Sequence, residues 1–426
     1  MPRPIKSIDD VVAMQLCTGC GICAYVEPKR FRMADTMDHG RRPFLLDKAM
    51  LESGEALAVC PGAQLEHPTS MRARSDILPE LLDAWGPVLA VWEGYAADPE
   101  IRFSGSSGGA ATALALYGIE REGMAGALHV GARNDVPYLN ETVYSNCRAD
   151  LLDRTGSRYA PASPCDGLDR IEAAKENSVF IGKPCDAAAV MSARKLRPGL
   201  DEKLGLVIAF FCAGVPSTKG TLDLLRANGV DDPATVKELR YRGKGWPGMW
   251  TAKFMNREGK KEIQQLSYAD SWGFLQQYRQ WRCYICPDHT GEFADIAVGD
   301  PWYRKVRNGE PGKSLIVART ARGFNVILAA ERAGYLVLER NDPTLLPRSQ
   351  PNLLQARGVL WGRLVGLRLL RAPIPRYLGF PMFRFWLREV SIWRKMQSIA
   401  GTAKRVIGKH LHRRVEIRPW LSKGDG

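Results

Sequence analysis

Cysteine is the residue type in this chain whose spacing most directly indicates chemistry. Cys17, Cys20 and Cys23 follow one another at intervals of three, and Cys60 is succeeded at once by Pro61. Three thiols in consecutive threes and a later Cys-Pro pair form the ligand pattern of a bacterial 4Fe-4S ferredoxin. Because the sequence contains no second run of this kind, we expect these four thiolates to hold a single 4Fe-4S cluster. A structural zinc site is the alternative, although zinc sites usually pair two separate CxxC units.

A second set of cysteines is distributed over three later segments. Cys185 and Cys212 each follow an apolar run typical of a buried β-strand, and Cys283 and Cys286 form a CxxC pair. Ligands of open α/β sheets bind at the carboxyl ends of strands, so we expect these four thiolates to hold a second 4Fe-4S cluster. Zinc suits a split site of four thiolates as well, and that alternative stays open. The two cysteines interpreted as bystanders are Cys147 and Cys165.

Glycine- and serine-rich stretches provide candidate contacts for a flat cofactor that carries phosphate. The run from Ser106 to Gly109 precedes Ala/Leu helix formers, and the free N–H groups of a helix N-terminus favour an anion. An ordinary helix N-cap explains this run equally well, and a surface turn explains the second run, Gly156 to Tyr159. The cofactor candidates are Ser106, Ser107, Gly108, Gly109, Thr112, Ser157, Arg158, Tyr159, Lys183 and Lys244. No residue is assigned as a catalytic acid or base.

Length and composition set the class of protein. With 426 residues the chain exceeds one ordinary domain, and its 45% hydrophobic and 25% charged residues are typical of a globular protein. The first ten residues lack the apolar core of a signal peptide, and no apolar run reaches the length of a bilayer span. Ten cysteines without an export signal favour a reducing compartment and metal binding over disulfides, so we expect a cytoplasmic location.

The net charge of +14 is concentrated at one end of the chain. Residues 346–426 contain 17 Lys and Arg against 3 Asp and Glu, whereas the preceding residues contain 43 of each sign. Within this tail, Phe383, Trp386, Leu387, Val390 and Trp393 fall on one helical face. Such a basic amphipathic helix lies on an anionic membrane surface or docks on a partner protein, and packing on its own body is the alternative. We expect deletion of this tail to leave cofactor content unchanged.

Strand and helix signals alternate through the middle of the sequence and predict an α/β core with mixed sheets. The core carries an N-terminal ferredoxin-like 4Fe-4S segment and a basic helical C-terminal tail. The predicted units are residues 1–65 for the ferredoxin-like segment, 86–170 and 175–345 for the two halves of the core, and 346–426 for the tail. The 86–170 half is expected to bind the flavin, and the 175–345 half is expected to hold the second cluster.

The motifs of the core together resemble the β subunits of coenzyme F420-reducing hydrogenase and dehydrogenase, from about residue 85 to 345. They are Ser106-Ser-Gly-Gly109, Gly156-Ser-Arg-Tyr159, Gly182-Lys-Pro-Cys185, Phe211-Cys212-Ala-Gly-Val-Pro-Ser217, Tyr241-Arg-Gly-Lys-Gly-Trp246, Cys283-x-x-Cys286-x-Asp288 and Gly299-Asp-Pro-Trp302. The resemblance implies FAD, one or two 4Fe-4S clusters and reversible electron transfer. The family includes deazaflavin-reducing subunits, ferredoxin-dependent reductases of chlorophyll metabolism and bacterial members found with polysaccharide biosynthesis genes.

These expectations combine into one predicted activity. A flavin exchanges two electrons as hydride and passes them singly to clusters, so it links the two kinds of chemistry. We therefore expect an oxidoreductase that uses FAD and two 4Fe-4S clusters. It would pass electrons between a ferredoxin-like carrier and an organic hydride acceptor or coenzyme F420, without a nucleic-acid partner. The alternatives are an electron-relay subunit of a larger complex and a zinc-stabilised binding protein without redox activity.

Overall fold

The structure is a computed structural model that describes residues 3–47, 54–68, 74–307 and 309–420. Parts of the predicted N-terminal segment and tail, namely residues 1–2, 48–53 and 421–426, lie outside the described residues. The strands are β1 (Phe31–Thr36), β2 (Gly40–Leu45), β3 (Gln64–Glu66), β4 (Ala90–Ala96), β5 (Gly126–Ala132), β6 (Asn140–Ser145), β7 (Ser178–Gly182), β8 (Leu204–Phe210), β9 (Val236–Arg240), β10 (Met249–Met255), β11 (Lys261–Ser267), β12 (Ile296–Gly299), β13 (Ser314–Ala318), β14 (Leu336–Asn341) and β15 (Arg376–Leu378).

Helices alternate with these strands along most of the chain. They are α1 (Ile8–Ala13), α2 (Ile22–Val26), α3 (Glu55–Ala58), α4 (Pro79–Trp85), α5 (Pro99–Ser104), α6 (Ala110–Glu120), α7 (Arg148–Asp153), α8 (Asp169–Glu172), α9 (Pro184–Ala193), α10 (Pro198–Lys203), α11 (Thr218–Ala227), α12 (Tyr268–Leu275), α13 (Trp281–Tyr284), α14 (Ala321–Arg332), α15 (Leu345–Ser349), α16 (Pro351–Gly358), α17 (Leu360–Leu369), α18 (Met382–Glu389) and α19 (Ile392–Gly408). Within the described residues, no helix is both long and apolar enough to cross a membrane.

A mixed eight-stranded sheet forms the centre of the molecule, which confirms the predicted α/β class. Its strand order is β14-β4-β13-β12-β8-β7-β5-β6. The four strands β12, β8, β7 and β5 run parallel, and the outer strands pair antiparallel. β7 and β8 are almost continuously buried, as expected of parallel strands covered on both faces. Helices α6 and α14 pack on one face and α9 packs on the other, so the carboxyl ends of the parallel strands meet at one edge.

A smaller three-stranded meander, β9 to β11, stands beside this sheet. β10 pairs antiparallel with both neighbours. Its inward side chains form a separate apolar core in which Tyr241 and Trp250 are fully buried. The chain that joins β9 to β10, residues 241–248, is thereby fixed against the edge of the large sheet.

The N-terminal cysteine segment packs into the body of the protein. The Asp38-His39-Gly40 sequence is typical of a hairpin turn, and the register that pairs Thr36 with Gly40 in β1 and β2 confirms it. Cys20 shares a buried cluster with α9 of the core. The other three cysteines of the run share a second cluster with residues of the C-terminal helices, among them Val406. Residues 3–66 therefore have no separate apolar core of their own among the residues described.

The C-terminal region is a structural part of the body, and this corrects our expectation that its loss would leave the cofactor sites untouched. The guanidinium of Arg357 lies 3.1 Å from the carboxylate of Glu292, and both side chains are buried. The hydroxyl of Tyr377 donates to the carbonyl of Ile285, between the two cysteines of the CxxC pair, at 2.7 Å. Strand β15 pairs with β3 next to Cys60. Removal of residues after 348 would uncover both cysteine-bearing regions.

Candidate functional site

A cavity of about 310 Å³ opens at the carboxyl ends of the parallel strands. Residues from the ends of β7, β8 and β12 line it, including Gly182, Phe210 and Gly299. This is the edge at which open α/β sheets bind ligands, and the volume falls within the range of small-molecule sites. The fold therefore provides one well-formed pocket where the sequence placed its candidate cofactor residues.

The N-terminus of helix α6 points into this cavity. Its N-cap is Gly109 with φ of 73°, and the helix begins at Ala110, which lines the cavity with Thr112. Among the residues described, no side chain caps this helix end. The first N–H groups of the helix and the positive end of its dipole are therefore available to an anionic group. Ser157 donates its backbone N–H to Ser106 Oγ at 2.6 Å, which holds the two predicted loops together.

Most of the predicted cofactor residues meet at this cavity. The lining contains Ser106, Ser107, Gly109, Thr112, Ser157, Arg158, Tyr159 and Lys183. Gly108 is buried behind the lining, where its N–H donates to Ser314 Oγ at 3.0 Å. Lys244 is exposed at a φ of 56° in the chain that joins β9 to β10, outside the lining. The structure thus groups eight of the ten candidates and places Lys244 apart from them.

Arg158 has a different role from the ligand contact that we expected. Its Nε donates to Asn140 Oδ1 at 2.7 Å, and its Nη1 donates to the carbonyl of Leu239 at 2.6 Å. Its Nη2 donates to the carbonyl of Pro137 at 2.7 Å. These bonds consume most of the five guanidinium donors. Arg158 therefore joins the cavity loop to strand β9 and leaves little capacity for a bound molecule.

Lys183 and Cys212 connect the cavity to the second cysteine group. Lys183 Nζ lies 2.6 Å from the fully buried carboxylate of Asp186. Burial lowers the pKa of Lys183, but Asp186 and the thiols of Cys185 and Cys212 outweigh it and raise the pKa above its ordinary value. Lys183, paired with Asp186, therefore lies at the boundary between the pocket and the thiols. Of the eight predicted ligand cysteines, Cys212 is the one found in the described lining.

An ion pair that we did not predict from the sequence lies at the rim of the cavity, between the buried Arg242 and the partly buried Asp300. Arg242 and Asp300 form a two-pronged pair, with Nη1 and Nη2 each 2.8 Å from a carboxylate oxygen. Trp246 Nε1 also donates to Asp300, at 2.9 Å, and Arg242 donates to the carbonyl of Ser106. The pair thus links the β9–β10 connection, the end of β12 and the loop before α6. Both residues lie in motifs that carried the family resemblance. The sequence signal that could have identified Asp300 is a polar residue directly after a strand.

Aromatic rings surround this pair. The ring of Tyr268 is stacked on Trp302 with centroids 5.7 Å apart and planes 6° apart. The guanidinium of Arg242 lies 4.5 Å from the centroid of Tyr268. Tyr159 contacts Trp272 at 5.0 Å between centroids. Flat, apolar and partly cationic surfaces of this kind are suited to a planar heteroaromatic ring.

The four thiols of the second cysteine group come from three segments that lie near one another. β7 and β8 are neighbouring parallel strands, so the residues that follow them lie side by side. The backbone N–H of Val215, just after Cys212, donates to Cys283 Sγ at 3.4 Å. Burial raises the pKa of Cys212 to about 12, with further contributions from Cys283 and Cys286. Burial likewise raises the pKa of Cys185, and Cys212 and Cys286 raise it further. The four thiols therefore lie within electrostatic reach of one another.

The N-terminal cysteines also gather at one place. All four are buried. Burial raises the pKa of Cys23 well above its ordinary value, and Cys17, Cys20 and Cys60 each raise it further. The backbone N–H of Gly19 donates to Cys17 Sγ at 3.3 Å, as is typical of a loop that wraps around its thiolates.

One cysteine interpreted as a bystander contacts this group. Cys165 is fully buried, and its backbone N–H donates to the carbonyl of Cys20 at 2.9 Å. A hydrogen bond from the Cys165 thiol lowers the pKa of Cys20. Cys147, in contrast, is exposed at the start of α7. The sequence carried no signal for the Cys165 contact, because it depends on how the turn after residue 163 packs against the N-terminal loop.

Arg42 lies between the two cysteine groups. Its side chain is 1% exposed, and its Nη2 donates to Gln280 Oε1 at 2.7 Å. Burial lowers the pKa of Arg42, and this is opposed by Cys17 and Cys20 of one group and Cys283 of the other. Its Nε is buried without a hydrogen-bond partner in the part of the chain that the structure describes. A buried guanidinium with an unused donor suits a site that carries negative charge when it is filled.

Arg282 occupies a similar position from the opposite side. Its Nη2 donates to the carbonyl of Pro61 at 2.9 Å, and its Nη1 donates to the carbonyl of Ile285 at 3.3 Å. It therefore joins the Cys60-Pro61 turn to the CxxC loop. Burial lowers the pKa of Arg282, but Tyr377 and then the thiols of the second group, Cys286 first, raise it above its ordinary value. Burial raises the pKa of Cys17, and Arg42 and Arg282 oppose that rise. Its Nε too has no partner among the described side chains and backbone.

Among the described residues, the His, Cys, Asp and Glu side chains form no group of three or more that could hold a metal ion. The 4Fe-4S and zinc interpretations of the two sets of thiols both remain predictions.

Comparison with known proteins gives consistent matches. Residues 91–168 match a family model that describes the N-terminal part of the coenzyme F420 hydrogenase/dehydrogenase beta subunit, and residues 175–344 match the model of its C terminus. The F420-dependent formate dehydrogenase 1 subunit beta of Methanococcus maripaludis is 26% identical over 58% of this chain and 61% of its own length, so the chain spans less than two thirds of that relative. One subunit of the F(420)H(2) dehydrogenase of Methanosarcina mazei is 25% identical over 68% of this chain and 77% of its own length.

A solved structure shares the fold. A chain of the F420-reducing [NiFe] hydrogenase complex from Methanosarcina barkeri superposes with a TM-score of 0.51 at 20% sequence identity. The match covers 67% of this chain and 96% of that chain. About a third of our chain therefore lies outside the region that the two structures share.

Proposed function

Because the chain belongs to the coenzyme F420 hydrogenase/dehydrogenase beta-subunit family, we propose that it is an F420-linked oxidoreductase subunit that uses FAD and two 4Fe-4S clusters. One observation carries the proposal. A single cavity is bordered on one side by the uncapped N-terminus of α6 and on the other by Cys212 and Lys183 of the second cysteine group. A site for a phosphate-bearing cofactor and a site for a redox metal group are therefore adjacent.

The residues of the cavity fit a flavin nucleotide. The first turn of α6 and Ser106 offer N–H and hydroxyl donors to phosphate. Tyr268 and Trp302 offer parallel aromatic surfaces beside the Arg242–Asp300 pair. A bound flavin supplies the exchange between hydride transfer and single-electron transfer that the proposed reaction needs. The chain's own contribution is to bind that group, to orient it towards Cys212 and to hold the cation of Lys183 beside it.

The two cysteine groups fit a pair of clusters. Eight thiolates in two groups of four match the ligand number of two 4Fe-4S clusters. Arg42 and Arg282 lie between them and offset part of the negative charge that thiolates and sulfide would bring into the interior. Since Cys212 lines the cavity, we assign the second group to the cofactor side and the N-terminal group to the side of an external one-electron carrier. A ferredoxin-like protein is the proposed carrier, and coenzyme F420 or another organic hydride acceptor is the proposed substrate.

An electron-relay role is the second candidate. The relatives that match are themselves named as subunits, which favours a chain that works inside a larger assembly. In that case the cavity would still hold flavin but would exchange electrons only with partner subunits. A cytoplasmic location and the absence of a nucleic-acid partner remain predictions under either role.

The test is anaerobic purification followed by metal and flavin analysis. We expect about eight iron atoms and one flavin per chain, with FAD rather than FMN released on denaturation. The Cys283→Ser variant should lose about half of the iron, while the matched Cys147→Ser variant of an exposed thiol should keep all of it. A colourless protein that contains zinc would overturn the proposal.

A second assay separates the two roles. The cofactor-loaded chain is mixed with reduced coenzyme F420 and an oxidised one-electron dye, and dye reduction is followed. Turnover supports an enzyme with its own substrate site. Full cofactor content without turnover supports the relay role instead.

A further inference from the structure

The last long helix, α19, has the reverse of the usual polarity. Its buried residues are Ser398, Thr402 and Val406, two of which carry hydroxyl groups. Its exposed residues include Ile392, which is 74% exposed, and Trp393, which is 70% exposed. A surface helix of a globular protein normally buries its apolar stripe and exposes its polar face. The apolar stripe of α19 is therefore directed away from the protein.

The inward packing of α19 depends on small residues. α19 lies against α17, where Gly362 and Gly366 face Ser398 and Thr402. A Cβ atom placed on Gly362 would come 1.8 Å from Ser398 Oγ, so the two backbones approach closely. The helix thus anchors to the body through a glycine and hydroxyl contact together with the buried Val406, and Ile392, Trp393 and Met396 take no part in this packing.

The exposed apolar residues of α19 form one continuous stripe. At 100° per residue they fall within about a quarter of the helix circumference. They are Ile392, Trp393, Met396, Ala400 and Ile407. From the sequence we predicted a different face, from Phe383 to Trp393 on a single helix. The structure interrupts that helix between α18 and α19, and it turns Trp386 and Val390 partly inward against Gly362 and Gly358.

Positive charge accompanies this stripe. Residues 390–415 contain seven Lys and Arg and no Asp or Glu. Arg394 and Lys404 are exposed on α19, and Lys409 is exposed directly after it. By the same angular count Lys404 lies next to the stripe, and Arg394 lies on the polar side of the helix. An apolar stripe with Trp near one end and cations on the polar side is the pattern of helices that lie in the plane of a membrane surface. Anionic lipid headgroups complement the charge, and the adjoining acyl region complements the stripe.

We propose that α19 docks this chain on the surface of an anionic membrane, parallel to the plane of the bilayer. Ile392, Trp393 and Met396 enter the boundary between headgroups and acyl chains, and the neighbouring lysines and arginines contact phosphate. The inference is independent of the proposed redox activity, because it rests on α19 and its packing alone. The same helix joins the region that covers the N-terminal cysteines, so docking would hold the carrier side of the proposed enzyme near the membrane.

Vesicle binding by the full-length chain tests the proposal. The chain is mixed with vesicles of phosphatidylcholine containing about one third phosphatidylglycerol, or with pure phosphatidylcholine, and bound protein is separated by flotation. We expect binding to the anionic vesicles at least about tenfold tighter than to the neutral ones, and a marked loss at high salt. The Ile392→Ser/Trp393→Ser variant should weaken binding at least about tenfold.

Two controls make the outcome specific. The Met249→Ser/Ile263→Ser variant removes two exposed apolar side chains from strands β10 and β11 and should bind like the unmodified chain. Thermal unfolding should be unchanged in both variants, because all four side chains project into solvent. The proposal is overturned if the unmodified chain fails to float with anionic vesicles, or if the two variants bind equally. Capture of an acidic protein through the stripe, without vesicle binding, would also overturn it.

Discussion

Replacement of Arg242 by methionine tests the reasoning about the cavity directly. Arg242 is 2% exposed and joins three segments that are distant in sequence. Its Nη atoms each lie 2.8 Å from an oxygen of Asp300, and its Nε donates to the carbonyl of Pro247 at 2.8 Å. Methionine preserves the unbranched stem and much of the volume of the side chain but none of these bonds.

The expected cost follows from burial. Removal of one partner of a buried ion pair leaves the other charge unpaired and costs about 3–5 kcal/mol. Asp300 retains its bond from Trp246 Nε1, so we take the lower end, about 3 kcal/mol. About 1.4 kcal/mol corresponds to a factor of ten in affinity. If half of the ~3 kcal/mol weakens the assembly of the pocket, flavin affinity should fall about tenfold. If nearly all of it does so, the fall should be about a hundredfold.

The assay is flavin titration into the deflavinated chain, with thermal unfolding measured in parallel. Arg257→Met is the matched control, because Arg257 pairs with Asp231 at 2.7 Å but both side chains are well exposed. An exposed pair contributes about 0–1 kcal/mol, so this control should bind flavin normally. Arg242→Met with unchanged flavin affinity and an unchanged melting temperature would refute our account of the cavity.

Three further predictions concern other parts of the molecule. Arg42→Gln removes a buried positive charge near both cysteine groups, so it should make the reduction potentials of the bound clusters more negative. The shift should be on the order of 60 mV for each ~1.4 kcal/mol of lost stabilisation, measured by redox titration followed by electron paramagnetic resonance. The control variant Arg32→Gln, at an exposed arginine, should show no shift. Arg357→Met removes one of two close partners of the buried Glu292, whose carboxylate keeps its contact with His67 Nε2 at 2.9 Å, so we take the lower end of the cost, about 3 kcal/mol, seen as a lower unfolding midpoint. A change below about 1 kcal/mol would mean that the C-terminal region is not part of the body. Burial lowers the pKa of His129 from 6.5 to about 4. As the pH falls below 6.5, His129 therefore binds a proton in the unfolded chain before it does so in the folded protein, which lowers the free energy of unfolding by about 2 kcal/mol at pH 5. Unfolding measured at pH 7.5 and pH 5 should show this loss in the unmodified chain, and the His129→Gln variant should lack this contribution.

Local sequence patterns were sufficient to predict the central sheet. The apolar runs that became β7 and β8 are buried on both faces, so their pattern needed no knowledge of neighbours. The Gly- and Ser-rich run before α6 became a helix N-terminus at the cavity because glycine alone fits the φ of 73° at position 109 without strain. The N-terminal cysteines recur at every third residue, a spacing at which a tight loop can direct their thiols towards one point.

The roles of charged residues needed the folded chain. Arg158 and Lys244 were equally plausible ligand contacts from their motifs. In the structure, the guanidinium of Arg158 donates its hydrogen bonds to carbonyls such as those of Pro137 and Leu239, and Lys244 is exposed to solvent. Arg242 and Asp300 are 58 residues apart and meet only because β9 and β12 converge on one edge. A guanidinium has several donors and a long reach, so its partner is decided by tertiary packing and not by its neighbours in sequence.

The sequence by itself indicated the family and the α/β sheet, and both are confirmed, whereas its two sets of four ligand thiols remain a prediction. Only the tertiary structure decided that Arg42 and Arg282 stand between those sets, that Cys165 contacts Cys20, and that the C-terminal helices complete the body. It also decided the direction of α19. A helical sequence specifies an apolar stripe, but which side of the helix packs inward depends on the surface it meets, and here the glycines of α17 admit the hydroxyl face and leave the apolar face outside.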